Sequence, residues 1–346
     1  MLNSLLALFS RDMAIDLGTS TILVYVKGRG MLIREPSVIA IHKKTKDVIA
    51  VGGKAKEMLG KTPPNILAVR PLKDGVISDF YATEKLLSYY IKLVHEMPSR
   101  LPQIPRPRIV LGVPSGVTSV ERRAVIEVAK SAGAREASLL DEPMAAAIGA
   151  GLPVEDPAGT MIVDMGGGTT EIAVISLAGI VVNRSLKTAG DELDMEIVNY
   201  ARSKYNLLLG ERTAEELKIN IGSAYEFDGE GDYRGIMRGR DLKTGLPKAV
   251  EVVAYEIRDV LKDELQHIID GIKDTIEETP AELVPDIIKN GITLAGGTSQ
   301  LRGLDKLISS ELNVPVRVAE DPVTCVVRGC SKALTDEKLL KKVRIL

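Results

Sequence analysis

Two short stretches far apart in the chain carry nearly the same pattern, and they constrain the fold more than anything else in it. The first is Ile15-Asp16-Leu17-Gly18-Thr19-Ser20-Thr21, and the second is Val163-Asp164-Met165-Gly166-Gly167-Gly168-Thr169-Thr170. Each follows an apolar run that reads as a buried strand, Met13 to Leu17 and Met161 to Met165. Each leads into a second run, Ile22 to Val26 and Ile172 to Ile175. A strand–turn–strand of this kind lets backbone N–H groups face an anion, because glycine has no Cβ to hold a phosphate away. One such turn is commonplace. Two, each with Asp at the strand end, predict a duplicated half-fold closing on one polyphosphate. A third glycine turn, Thr293-Leu294-Ala295-Gly296-Gly297-Thr298-Ser299, again follows a strand and precedes a helix.

At 346 residues the chain exceeds what one core usually holds, so two domains are expected. A chain 45% hydrophobic and 27% charged is globular rather than disordered. The net charge of −2, the absence of Trp and the 3% aromatic content argue against stacked single-stranded nucleic acid as a ligand. Cys325 and Cys330 have no His nearby to complete a zinc set, which fits reduced, buried thiols in a cytoplasmic protein. No apolar run reaches the roughly 20 residues that span a bilayer.

Residues 1–11 read as an amphipathic N-terminal helix. Leu2, Leu5, Leu6 and Phe9 share one helical face, opposite Asn3, Ser4, Ala7 and Ser10. The segment lacks the basic start and small-residue cleavage site of a signal peptide. It is either a helix docked on its own domain or an in-plane membrane anchor. Burying a Leu or Phe is worth about 1.5–3 kcal/mol, so four would hold a membrane weakly, and linking many such anchors would make the hold firm.

Further along, Val38 to Ile41 and Val48 to Val51 read as strands, Gly53 to Gly60 as a short helix, and residues 33–65 together as a small insertion. Asp79 or Thr83 caps a helix from about Ala82 to Glu96. Thr118 with Glu121 forms a capping box for a helix ending at Gly133. The strand Ala137 to Leu140 turns at Asp141-Glu142-Pro143 into the helix Met144 to Gly149. A carboxylate there is placed either for catalysis or as an N-cap. In the second half, Ile180 to Ser185 is a strand and Gly190-Asp191-Glu192-Leu193-Asp194 opens a helix. Thr213 with Glu216 caps another, residues 225–247 form an exposed hairpin excursion, and helices follow at 253–270 and 271–278. Val314 to Val318 reads as the last strand, followed by a helix over 322–334 and a basic tail.

The site these turns predict is a nucleotide in a cleft between two similar domains, with Asp16 and Asp164 meeting across the phosphates. Paired carboxylates need a cation, and Mg²⁺ suits them because it keeps its waters while bridging phosphate oxygens. The amides of Gly18, Thr19, Ser20 and Thr21 and of Gly166, Gly167, Gly168 and Thr169 are the expected phosphate ligands. No G-x-x-x-x-G-K-[ST] occurs, so this is not a Walker-type site. Phosphoryl transfer then needs a residue to orient water, and Glu142 is the best-placed candidate.

Asp16-Leu17-Gly18-Thr19, the 164–170 turn and Gly296-Gly297-Thr298 resemble the phosphate and adenosine motifs of the actin, DnaK-type chaperone and sugar-kinase superfamily. Narrower stretches resemble the MreB family of bacterial actins: Val69-Arg70-Pro71-Leu72-Lys73-Asp74-Gly75-Val76-Ile77, Val120-Glu121-Arg122-Arg123-Ala124 and Glu142-Pro143-Met144-Ala145-Ala146-Ala147-Ile148-Gly149. The resemblance runs in order over essentially the whole chain. It implies an α/β, actin-like ATPase fold of two duplicated domains, each with a central sheet flanked by helices, plus two smaller outer subdomains. The first core would comprise 12–32, 66–150 and 316–346, with 33–65 as its outer lobe. The second would comprise 151–185 and 248–315, with 186–247 as its outer lobe.

By the same match Glu142 activates water, Glu215 and Lys218 lie on the nucleoside-contacting helix, and Gly296, Gly297, Thr298 and Ser299 form the adenine and ribose turn. The first turn reads Gly-Thr-Ser-Thr where many relatives have Gly-Thr-Ala-Asn. The helix opening reads Ala189-Gly190-Asp191 where some have two glycines. Neither departure removes a phosphate ligand.

The implied function is an ATP-hydrolysing filament protein with ATP/ADP and Mg²⁺ as cofactors and itself as first partner, in paired protofilaments. Its other implied partners are the inner face of the cell membrane and the cell-wall elongation proteins, through which it would help hold a rod shape. Two rivals remain from the residues alone. A chaperone ATPase would need a peptide-binding domain after Leu346. A sugar or acetate kinase, or another non-polymerising ATPase, would need an additional catalytic Asp and a substrate pocket.

Overall fold

The computed structural model describes residues 9–99 and 102–345, so Leu2, Leu5 and Leu6 of the expected N-terminal helix lie outside the described residues. That helix does not extend over Phe9 to Arg11. Ser10 is in a bend, Arg11 is non-helical, and both side chains are buried. The chain divides into two compact units. One takes the chain up to 157, 175–180 and the residues from 323 on, and the other takes 158–174 and 181–322.

The first unit is built on a six-stranded sheet. Its chain starts with the meander β1 (Met13–Leu17), β2 (Thr21–Val26) and β3 (Gly30–Pro36). After an excursion come β4 (Arg108–Val113), parallel to β1, and β5 (Glu136–Asp141), parallel to β4. The spatial order is β3-β2-β1-β4-β5, closed at the β5 edge by the two residues Arg344–Ile345. The basic tail therefore ends in a short edge strand, and Val316–Val318 is not the last one. Strands buried on both faces read as continuous apolar runs, as β4 does with Ile109, Val110, Leu111 and Val113.

Helix α1 (Phe80–Glu96) packs Leu86, Leu87, Tyr90, Ile91 and Val94 on one face of this core. Asp79, not Thr83, caps it, accepting from the Ala82 N–H at 2.9 Å. Helix α2 (Ser119–Ser131) starts at the expected capping box of Thr118 and Glu121. The excursion over residues 39–69 forms a small three-stranded sheet of Ile39–His42, Val48–Val51 and Ile66–Val69. It buries Val38 and Ala40 against Ala55.

The second unit repeats the order. Strands β6 (Thr160–Met165), β7 (Thr170–Ser176) and β8 (Gly179–Leu186) make the meander. β9 (Ile292–Ala295) is parallel to β6, and β10 (Val316–Val318) is parallel to β9. The order β8-β7-β6-β9-β10 matches β3-β2-β1-β4-β5 strand for strand. Pairing with β9 puts β10 in this sheet and unit, so residues 316–322 leave the first core, where the sequence reading had them. Residues 151–157, expected in the second core, belong to the first unit.

Helices α4 (Gly190–Tyr205) and α5 (Glu211–Ile221) pack on a three-stranded sheet of Leu207–Leu209, Arg234–Asp241 and Pro247–Val253. α5 begins before Thr213, with Gly210 at its N-cap. Glu216, expected in a capping box, instead accepts from the Arg212 Nε–H at 3.0 Å. The two helices expected over 253–278 are one, α6 (Ala254–Glu277). Gly271 marks no break there. It lies buried against Leu186, whose Cδ1 a Cβ would meet at 2.7 Å, so the glycine serves packing rather than a turn.

Candidate functional site

In the first unit the turn after β1 is braced from two sides. The buried Ser37 hydroxyl donates to the Gly18 carbonyl at 2.6 Å, and the Ser37 N–H donates to Ser20 O at 3.0 Å. Thr19 is nearly buried and accepts from the Gly75 N–H at 3.0 Å. Asp74 and Gly75 both have positive φ, as a tight hairpin between Leu72–Lys73 and Val76–Ile77 requires. In the sequence Asp74 and Gly75 entered only as part of a stretch that resembles the MreB family, and their attachment to Thr19 was not visible.

Asp16 lies opposite Gly112 in the β1–β4 ladder. Glu142 is the first residue of α3 (Glu142–Gly149), directly after β5. A Cβ on Gly112 would sit 2.7 Å from Val326 Cγ1 and 3.3 Å from Glu142 Cγ, so the missing side chain is what lets Glu142 reach over β4. α3 is in turn held by α7 (Cys325–Thr335) through backbone contact. A Cβ on Gly149 would lie 1.8 Å from Cys325 O, and one on Gly329 1.8 Å from Ala145 O. This close approach fixes Glu142 in the same unit as Asp16.

Burial pushes the Asp16 carboxyl up to about 7. Burial, with the Asp16 and Glu142 charges added, pushes the Cys330 thiol well above its ordinary range. Cys330 therefore stays a neutral thiol, and it and Cys325 are free and buried. Among the described residues no cluster of three or more His, Cys, Asp or Glu could hold a metal by itself. A carboxylate such as Asp16 suits a hard, hydrated cation such as Mg²⁺ rather than a zinc-type centre, and so does Asp164 in the other unit.

The second unit brings together the other expected residues. Asp164 is nearly buried at the penultimate position of β6, the place that Asp16 holds in β1. The turn closes through the Gly166 N–H donating to Thr169 O at 2.9 Å. Thr298 does not face away from this turn. Its hydroxyl donates to Gly166 O at 2.7 Å. Gly296 has φ +81°, and a Cβ there would meet Met165 O at 2.2 Å and Asp164 Oδ1 at 2.7 Å, so only glycine lets the third turn press on the second. The third turn leads into a single 3₁₀ turn, Thr298–Gln300, and then into the expected helix, Leu304–Leu312. Glu215 and Lys218 stand on α5. Lys218 forms an ion pair with Asp194 at 2.9 Å.

Comparison with known proteins decides the family. The model of the MreB/Mbl protein family matches residues 10–342. This chain belongs to the MreB/Mbl family. It is 50% identical over 339 residues to the cell shape-determining protein MreB of Escherichia coli K12, covering 96% of both chains. It is 44% identical over 338 residues to the cell shape-determining protein Mbl of Bacillus subtilis, covering 98% of this chain and all of that one. Among solved structures, MreB5 of Spiroplasma citri bound to ADP superposes with a TM-score of 0.88 at 40% identity, over 96% of this chain and 98% of the other. The same protein bound to AMPPNP gives 0.88 at 39% identity, with the same coverage. A MamK double helical filament shares the actin-like fold, with a TM-score of 0.76 at 23% identity over 94% of this chain and 99% of that one. The duplicated α/β architecture is thus that of the family.

Proposed function

We propose that this MreB/Mbl-family chain binds and hydrolyses ATP, polymerises into membrane-associated filaments, and helps determine rod cell shape by organising cell-wall synthesis. The observation that carries the proposal is the duplication. Asp16 and Asp164 occupy the same penultimate position of the same strand, ahead of the same glycine and hydroxyl turn, in two sheets of one strand order. The ADP and AMPPNP complexes of MreB5 support the nucleotide, and the names of the bacterial relatives support the cellular role.

In this mechanism the amides of residues 18–21 and 167–169 bind the β- and γ-phosphates, the Gly166 N–H being held by Thr169 O. Asp16 and Asp164 would hold Mg²⁺, which would supply charge neutralisation on the phosphate oxygens. Glu142, itself nearly buried, orients the attacking water and takes up its proton. Glu215 and the 296–299 turn receive the nucleoside, while the Lys218 ammonium on the same helix is taken up by Gly190 O and Asp194. Leu2, Leu5, Leu6 and Phe9 insert into the bilayer surface. No helix among the described residues is long and apolar enough to cross a membrane.

Sedimentation tests the filament. The protein is expected in the pellet with MgATP at micromolar concentration, and protein that stays in the supernatant with ATP and with liposomes overturns the reading. Glu142→Ala should slow phosphate release on the order of 10²-fold while sparing ATP binding, and unchanged turnover removes Glu142 from its role. Deleting residues 1–11 should abolish liposome binding and leave polymerisation intact.

A further inference from the structure

The opening of α4 is joined to the glycine turn of the second unit by its backbone. The Asp191 N–H donates to Gly167 O at 2.7 Å and the Gly190 N–H to Gly166 O at 3.3 Å. The first N–H groups of a helix have no partner within it and commonly face an anion. Here two of them are spent on the turn's carbonyls. Across a trans peptide the C=O and the following N–H point in opposite directions, and the described chain has no cis peptide. Tying back the carbonyls of Gly166 and Gly167 therefore aims the N–H groups of Gly167 and Gly168 away from α4.

Lys218 holds this arrangement from below. Its Nζ donates to Gly190 O at 2.5 Å and pairs with Asp194 Oδ1 at 2.9 Å, and both side chains are mostly buried. Gly190 leaves no slack on its other side, because a Cβ there would meet Thr298 Oγ1 at 2.8 Å. The chain of contacts thus runs from α5 through Lys218 to the first turn of α4, and from there to the glycine turn.

We infer that Asp194 and Lys218 are positioning residues for the phosphate-binding amides, tying the outer helices α4 and α5 to whatever the glycine turn holds. The inference deepens the nucleotide reading and rests on it. Asp194 keeps the ammonium on Gly190, Gly190 and Asp191 keep the turn's peptide planes, and those planes aim the donors. Neither side chain needs to touch the phosphates. A triphosphate that orders the turn will also order α4 and α5, which makes this lobe a reporter of nucleotide state.

The experiment uses the full chain and compares ATP with adenosine as ligands by calorimetry. Asp194→Asn should weaken ATP roughly tenfold and leave adenosine unchanged, and Lys218→Met should weaken ATP by a similar factor. The double variant should lose no more than the larger single loss, because the two residues act through one contact. If wild-type protein binds no ATP, the nucleotide reading itself fails. If wild type binds but Asp194→Asn equals it, or loses ATP and adenosine alike, the positioning role is refuted. Should a variant fail to fold, hydrogen exchange of the wild type decides. ATP is expected to slow the Gly190 and Asp191 amides, and unchanged rates at saturating ATP would sink the inference.

Discussion

The two glycine turns share a strand position and a chemistry, yet they are held in different ways. The first is braced by a side chain, the Ser37 hydroxyl on Gly18 O, and by a hairpin N–H on Thr19. The second is braced by backbone, through the α4 amides on Gly166 O and Gly167 O, with the Thr298 hydroxyl added on Gly166 O and Gly296 pressed against Met165. Duplication copied the sheet and the carboxylate, and the supports diverged. A turn held by backbone is tolerant of side-chain change and intolerant of any new Cβ. A turn held by a hydroxyl has the reverse sensitivity.

The largest expected effect tests that contrast directly. Gly296→Ala forces a side chain into a left-handed backbone and against the Met165 carbonyl, which cannot move without disturbing β6. A loss on the order of 3 kcal/mol is expected from the urea midpoint. Gly18→Ala puts a Cβ 2.7 Å from Thr21 O without positive φ, and should cost about half as much. Equal losses would erase the distinction.

The hydroxyls should rank the other way. Ser37→Ala removes a buried donor from Gly18 O and should cost about 2 kcal/mol. Thr298→Val removes a donor from Gly166 O, but the Gly190 N–H still reaches that oxygen, so about 1 kcal/mol is expected. Chemical denaturation of the two variants side by side measures the difference. A larger loss in Thr298→Val would mean that the backbone brace carries little.

These supports also mark where sequence reading stops. The turns were legible because glycine, Asp and hydroxyl sit together within a few residues, and the Thr118–Glu121 box because both partners lie in one helical turn. Ser37, Gly75, Gly190 and Asp194 were not assigned to the site, since each acts across a distance that only the folded chain closes. Local signals misled where tertiary contact overrode them. Gly271 looked like a helix boundary and is a close approach to Leu186. Thr213 looked like a cap and lies inside α5. Arg344 and Ile345 looked like part of a solvated tail and complete a sheet. Val316–Val318 looked like part of the first core until its pairing with β9 was seen. The N-cap reading of Asp79 survived, because a cap is satisfied within four residues whatever the fold around it.

The smallest effect concerns how each turn's leading strand enters its sheet. β1 is preceded by Ser10 and Arg11, whose backbone is held by His95 at the end of α1. The Arg11 N–H donates to Nε2 at 3.0 Å, and Nδ1–H donates to Ile91 O at 2.7 Å, which makes the ring neutral. The Arg11 guanidinium then donates to the carbonyls of Val94, Met97 and Pro98, closing the helix end. Before β6 the corresponding hold is the Gly159 N–H on the Asp286 carboxylate at 2.8 Å, with no imidazole in it. Burial lowers the His95 pKa, the Ile91 hydrogen bond opposes that, Arg11 adds to it and Asp12 opposes it. With the folded value below the unfolded one, the unfolded chain binds more protons over the intervening range. The stabilising contribution is therefore complete above the unfolded pKa of about 6.5 and is lost as pH falls through the folded value. Protonation would also set an Nε2–H against the Arg11 N–H. Between pH 7 and 5, after correction for intrinsic exchange, the Arg11 amide should lose protection while the Gly159 amide keeps it. Parallel loss at both amides would mean that acid loosens the sheets generally and that His95 has no local part in it.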